Sequence, residues 1–505
     1  MISSSLDLIS LAFAGEIPKW INGSLYRNGP GKFKQGGEVC SHLFDGMSAI
    51  HHFSLQDGCV QYQNTLLNSD AFRMNEAARR LICPGFAAVS YPDPCKSIFS
   101  RYFSYFTSKP PNDNCSVNLM QLGDQFYAMT ETNTVRKIDP KTLETPGKVD
   151  MTAILSMHMA TAHPLVDVNG DTYNMGTRFG KDTSYVIMKV PPPEPGCAEP
   201  LENRQLVCSV PAHRPSYPSY FHSFGMTENY IILVEQPLVT NVFKLLARRF
   251  INFTYKDTLN FHPEERVRIH LVNKSTGERL TQSYTTDAFF LFHHLNSYEE
   301  DNCVVFDVVA YPNADIIEDL MMENIRTEKV SLGNLPQLTR LVLPLNTPAD
   351  VGVGENIVNL AGSTATAAKE SDGNIHCVPQ RFSDCCIELP RWNEKFNGKK
   401  YKFAYAVTYK EYLLKDLKLS KVNVDTGEMK VWGEDDYLAG EPVFIPSPNA
   451  VEEDDGVILS PLVSVREDKP CLLVILDAKT FTEIARARIP SWTPFTLHGI
   501  FAEGY

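Results

Sequence analysis

Leu271-Val272-Asn273-Lys274-Ser275-Thr276-Gly277-Glu278 carries an apolar strand into a polar turn, and the same design occurs three more times in the chain. It returns as Lys137-Ile138-Asp139-Pro140-Lys141-Thr142-Leu143-Glu144, as Val422-Asn423-Val424-Asp425-Thr426-Gly427-Glu428 and as Ile475-Leu476-Asp477-Ala478-Lys479-Thr480-Phe481. In each copy one strand enters a tight turn and a second leaves it. With Asp139, Asn273, Asp425 and Asp477 taken as equivalent, the copies lie 134, 152 and 52 residues apart. These gaps suit a unit of about 50 to 75 residues, which is a blade of four strands with inserted loops.

The segments between the turns support this reading. Tyr230-Ile231-Ile232-Leu233-Val234, Val304-Val305-Phe306-Asp307-Val308-Val309 and Leu472-Leu473-Val474-Ile475-Leu476 are short, apolar and rich in β-branched residues, the signature of buried strands. The expected fold is all-β, a seven-bladed β-propeller in which residues 1–505 form a single domain. Two packed β-sandwiches would need a linker. The richest proline stretch, Pro191-Pro192-Pro193-Glu194-Pro195-Gly196, instead reads as a surface loop between strands.

Composition narrows the function classes. The 505 residues carry 47 basic and 60 acidic side chains, a net charge of −13, which is no electrostatic footprint for nucleic acid. No run of about eighteen apolar residues is present, so no bilayer-spanning helix is expected. The opening MISSSLDLISLAFAGEIPKW lacks a basic start and is broken by Asp7, unlike a signal peptide. Twelve scattered cysteines without a C-x-x-C pair fit free thiols in a reducing compartment. The cytosol is the expected location.

The sequence has no H-E-x-x-H, Walker loop, G-x-G-x-x-G or G-x-S-x-G. What stands out is four histidines in aromatic, apolar or small-residue settings: His163, His222, His293 and His498. A lone histidine in such a place is more often a core residue than a ligand, but the spacing argues otherwise. The intervals are 59, 71 and 205 residues, and the last divides into three units of about 68. Equivalent places in successive blades converge on the propeller axis, where four neutral imidazoles would suit a divalent transition metal. Imidazole ligands need their second nitrogen held, usually by a carboxylate. Glu131, Glu388 and Glu441, each isolated in an uncharged stretch, are the candidates.

Several segments, in order along the chain, resemble the animal carotenoid cleavage oxygenases. They are Arg27-Asn28-Gly29-Pro30-Gly31, His42-Leu43-Phe44-Asp45-Gly46-Met47, Tyr91-Pro92-Asp93-Pro94-Cys95-Lys96, Tyr127-Ala128-Met129-Thr130-Glu131-Thr132-Asn133, His222-Ser223-Phe224-Gly225, Phe292-His293-His294 and Leu497-His498-Gly499. The resemblance implies a seven-bladed propeller with a helical and loop cap over the top face and a non-haem Fe(II) on the axis. It implies His163, His222, His293 and His498 as iron ligands, backed by Glu131, Glu388 and Glu441. His294 and His158 are not ligands in this reading: His294 points to the opposite strand face from His293, and His158 lies where relatives differ. Leu165 stands where a histidine is common.

The branch that cleaves β-carotene at its central 15,15′ double bond fits best, through Asp113-Asn114-Cys115, Thr286-Asp287-Ala288, Tyr298-Glu299-Glu300-Asp301-Asn302-Cys303 and Glu388-Leu389-Pro390-Arg391. The expected reaction joins carotenoid and O2 to give retinal. Eccentric 9′,10′ cleavage, retinoid isomerohydrolysis and a non-enzymatic carotenoid-binding propeller are the alternatives. Tyr220, Tyr311 and Phe495 are candidate substrate contacts, with Phe501 as a further one. A water-insoluble substrate calls for a peripheral membrane contact, expected in cap segments at 94–110 and 236–259, where aromatic and basic residues mix. Cys95 is a candidate for acylation. The oligomeric state is left open.

Overall fold

The computed structural model describes residues 5–88, 112–247 and 253–505, apart from 332, 349, 383, 412, 491 and 492. Its strands form seven main sheets, antiparallel but for one pair, arranged as the blades of a propeller, with two small two-stranded sheets besides. Counted along the chain, blades two to seven begin at Asn118–Leu122, Met159–Ala160, Gly225–Met226, Phe290–Glu300, Glu388–Trp392 and Tyr437–Ala439. Blade one joins the two ends of the chain: Gly23–Lys32 pairs antiparallel with His498–Glu503, with Asn28 opposite His498. Pairing the two ends within one blade closes the ring, and the sheet edges that remain are short ones belonging to each blade.

The four repeated turns fall at one place in four blades, the hairpin that joins the third strand to the fourth. In the third copy the residue that does the work is Asn423, two positions before the expected Asp425. Asp139, Asn273, Asn423 and Asp477 each turn a side-chain oxygen onto backbone N–H groups two or three residues ahead. The residue four positions on takes a left-handed conformation: Leu143 at φ 58°, Gly277 at 71°, Gly427 at 76° and Phe481 at 62°. The turn therefore needs an Asx acceptor at its start and a left-handed residue at its end, and glycine fills the latter twice without steric cost.

The uneven histidine spacing also has a structural cause. After Gln337–Pro344 in blade five, the chain makes an excursion back to blade four. There Ile375–Val378 pairs parallel with Tyr284–Thr286 and Thr366–Lys369 adds the edge. It then returns through Gln380–Arg381 to complete blade five. This detour lengthens the step from His293 to the next blade.

Helices are few and short. Asp70–Ala78 is capped by Ser69, whose hydroxyl accepts from Phe72 N–H. Val242–Ala247 lies within the expected cap segment 236–259. The 94–110 segment, Cys95 included, lies outside the described residues. Among the described residues no helix is long and apolar enough to cross a membrane, and eleven cysteines are free.

Candidate metal centre

Each blade sends one residue of the set singled out from the sequence toward the axis. Blade one supplies His498 at the start of its inner strand, blade three His163 from the turn between Met159–Ala160 and Leu165–Val166, and blade four His222 just before Gly225–Met226. Blade five supplies His293 within Phe290–Glu300. The remaining three give the carboxylates: Glu131 from the turn after Gln125–Met129, Glu388 at the start of Glu388–Trp392, and Glu441 between Tyr437–Ala439 and Val443–Pro446. One ligand atom from each histidine lies within 4.8 Å of the others. His163 and His222 bring their Nε2 atoms to 2.9 Å, and His293 and His498 theirs to 3.3 Å.

The opposite ring nitrogens explain the orientation. His293 Nδ1 lies 2.6 Å from Glu388 Oε2, His498 Nδ1 lies 2.8 Å from Glu441 Oε1, and His222 Nδ1 bonds to Glu131 Oε1. A carboxylate only accepts, so these rings donate through Nδ1–H and turn bare Nε2 lone pairs toward the centre. Lone pairs that face one another at such distances repel unless a cation lies among them. The donor set therefore fits a metal, and its all-nitrogen character suits a divalent transition ion. His163 differs, because among the described residues no carboxylate stands behind it. Burial and the charges of His498, His222, His293 and Arg391 push its pKa well below the ordinary histidine value. Burial likewise lowers His498 to about 4, against the opposing pull of Glu441.

The carboxylates are held in turn. Glu441, 1% exposed, receives Arg27 Nη1 at 2.5 Å and has Arg391 Nη1 at 3.7 Å. Arg27 is fully buried and also donates to Thr496 Oγ1 and to the Leu497 carbonyl, so it ties Glu441 to the strand that carries His498. Close chain approach makes this possible: a Cβ on Gly29 would fall 2.8 Å from Thr496 Cα. Burial alone would raise the Glu441 pKa, but the two guanidiniums and His498 drive it far below the carboxylate range. Glu388 accepts from Tyr311 Oη at 2.8 Å and from Leu389 N–H at 2.7 Å. Leu389 adopts φ 51° to make that bond, a strained backbone that the packed site sustains. Burial opposes ionisation of Glu388, and His293 with these hydrogen bonds reverses the balance and lowers its pKa. Glu131 accepts from Tyr220 Oη at 2.7 Å. Burial first, and then the neighbouring glutamate in each case, keeps both tyrosines neutral donors.

Three carboxylates against two guanidiniums leave one negative charge around the cluster, which a divalent cation would convert to one positive. Arg27 and Arg391 escaped the sequence reading as functional residues. The signal was the one used for the glutamates, since Arg27 is the one charged residue in residues 23–31 of its strand.

A cavity of about 700 Å³ opens over His222, His293 and His498. Tyr311 and Phe495 line it, together with Phe44, Phe292 and Leu245. Tyr220 instead borders a small adjoining void beside Glu131 and Phe179. Phe501 packs against the blade-one and blade-seven core. His294 turns away from the cluster: its Nδ1 meets Ser223 Oγ at 2.9 Å, and its ring stacks on Phe306. Leu165 packs beside Tyr173 in blade three. His158 is outside the cluster but is part of the cavity wall.

Comparisons with known proteins bear on the fold and the family. A solved Synechocystis apocarotenoid oxygenase variant superposes with a TM-score of 0.78 at 22% identity, covering 99% of this chain and 97% of its own. A cobalt-substituted form of that Synechocystis protein matches equally, at a TM-score of 0.78. The human β,β-carotene 15,15′-dioxygenase is 40% identical over 98% of this chain and 92% of its own length. The human mitochondrial carotenoid-cleaving dioxygenase is 37% identical over 98% of this chain and 88% of its own. A family model described as retinal pigment epithelial membrane protein (RPE65) matches residues 3–503. With a match of that extent and relatives at 40% identity over nearly the full length, the chain belongs to the RPE65, or carotenoid oxygenase, family.

Proposed function

We propose that this protein is an Fe(II)-dependent dioxygenase that cleaves the central 15,15′ double bond of β-carotene, or of a related provitamin A carotenoid, with O2 to give retinal. The observation that carries the reading is the convergence of four imidazole Nε2 atoms, from His163, His222, His293 and His498, with the last three rings lining an apolar cavity. When bound, ferrous iron supplies the activation of O2 toward a double bond, with both oxygen atoms ending in two aldehydes. The chain's own groups hold and orient. Glu131, Glu388 and Glu441 fix the tautomer and plane of three imidazoles. Tyr311, Phe495, Phe44 and Phe292 give an aromatic wall that excludes water and sets which bond of a long polyene lies over the cluster. The proposed reaction needs no nucleophilic side chain.

Delivery of so insoluble a substrate requires contact with a membrane surface. Val242–Ala247 supports this: Phe243 and Leu246 are 63% and 59% exposed beside Lys244, while Leu245 and Leu246 also reach the cavity wall. One short helix thus joins an outward apolar edge to the interior. In this reading the protein is cytoplasmic and peripherally membrane-associated.

Incubation of the iron-loaded protein with β-carotene, with products separated by chromatography, tests the reading. Retinal as the only aldehyde is expected. Apocarotenal with ionone would shift the assignment to 9′,10′ cleavage, and no cleavage at all would overturn it. His222→Ala should abolish cleavage and metal retention while the fold persists, because one ligand of four is lost; retained activity would refute the ligand set.

A further inference from the structure

His158 belongs to the cavity and not to the cluster, and three observations define what it offers. Its backbone N–H donates to the Thr177 carbonyl at 2.9 Å, and its Nδ1 accepts from Phe179 N–H at 3.1 Å. The ring is therefore pinned on both sides to the strand Thr172–Arg178 and the turn after it, and it rests 6.0 Å from the Phe179 ring. An Nδ1 that accepts leaves the proton on Nε2, so the imidazole presents a single N–H donor. Burial and the charge of Arg178 lower its pKa below the ordinary histidine value, so at neutral pH the group is an uncharged donor. His158 is exposed while it lines the cavity, which places it where the cavity meets solvent.

Three polar neighbours in the cavity lining are already engaged. The Asn114 amide bonds to Ser48 N–H and the Gly46 carbonyl, Asn133 donates to Asp150 and Thr152, and Glu131 is held by Tyr220 and His222. Among the described residues, Nε2 of His158 has no protein partner. A polyene whose scissile bond lies over the four histidines extends away from them in both directions, and one end must reach the open side.

We propose that His158 is a specificity-determining residue whose Nε2–H donates a hydrogen bond to an oxygen substituent, hydroxyl or carbonyl, on the terminal ring of the carotenoid at the cavity mouth. This rests on the carotenoid-cleaving function proposed above. A hydrocarbon ring leaves the donor to solvent at little cost, so the effect favours oxygenated substrates without excluding β-carotene. A hydrogen bond at a solvent edge corresponds to a preference of about three- to tenfold.

The test compares kcat/KM for 3,3′-dihydroxy-β-carotene and for β-carotene within each variant, so that changes common to both substrates cancel. His158→Phe, which keeps an aromatic ring and removes the donor, should lower the hydroxylated-to-hydrocarbon ratio about three- to tenfold. His158→Gln, which can donate from nearly the same place, should restore most of it. A ratio unchanged in His158→Phe would overturn the inference. If that variant cleaves neither carotenoid, the ratio of the two dissociation constants on metal-stripped protein, followed by tryptophan quenching, reads the same preference. A wild-type protein that cleaves neither would sink the proposed function alone, because the binding ratio still judges His158.

Discussion

The Glu441 side and the Glu131 side of the cluster solve one problem by different means. Both carboxylates hold an imidazole through Nδ1. Glu441 does so from blade seven, 1% exposed and gripped by Arg27, with Arg391 beside it. Glu131 does so from a turn at the cavity wall, 16% exposed in its side chain and held by the phenol of Tyr220. It also reaches past its neighbouring blade, since it pairs with His222 of blade four and not with His163 of blade three. At Glu441 two guanidiniums offset the charge that burial would otherwise penalise. A carboxylate beside an opening keeps access to solvent and needs only a hydrogen bond. The Glu441 side is thus tied into the stability of the ring, whereas the Glu131 side can tune the centre without endangering the fold.

The sharpest way to break this contrast is Arg27→Met. It strips the main partner from a buried carboxylate and should cost about 3–5 kcal/mol of stability in denaturant unfolding. A cost below about 1 kcal/mol would mean that Arg391 alone suffices. Acid probes the same side in metal-free protein. His498 has its pKa lowered to about 4 in the fold, against about 6.5 in the unfolded chain. Between those values the unfolded chain binds the proton first, so stability falls as pH drops from about 6.5 to about 4, at up to about 1.4 kcal/mol per unit from this group. Thermal melting across that window, compared with His498→Gln, isolates the contribution.

On the other side, Glu131→Gln should leave the unfolding midpoint nearly unchanged and weaken metal binding or activity about 10- to 100-fold, measured by competition with a chelator. Unfolding of this variant comparable to that of Arg27→Met would erase the distinction. Smallest of all, Tyr220→Phe removes one hydrogen bond from Glu131 and should weaken metal binding by less than about tenfold.

Much of this was legible before any coordinates. Asp139, Asn273 and Asp477 announced the outer hairpins because an Asx acceptor followed by a left-handed residue is a local requirement, written in consecutive positions. The four histidines and three glutamates could be found because a polar residue alone in an apolar strand signals burial with a purpose. Other features were hidden. Reading Asp425 in place of Asn423 missed which of two neighbouring polar residues faces the turn, and the even division of the 205-residue gap could not foresee the strand exchange at Ile375–Val378. Tyr220 read as a wall residue from its place two positions before His222, and in the fold its hydroxyl meets Glu131, 89 residues away in sequence.

By itself, then, the sequence determined the blade architecture and the chemical identity of the centre, since hairpin turns and isolated buried ionisable groups are recorded in local residue type. Only the tertiary structure decided the pairing: which glutamate backs which histidine, that none of the three backs His163, that arginines balance one side and a tyrosine the other, and that His158 faces the cavity. The reason is physical. Pairing depends on where seven blades bring side chains within hydrogen-bond reach across the ring, and a contact between residues 27 and 441 leaves no mark on the neighbours of either.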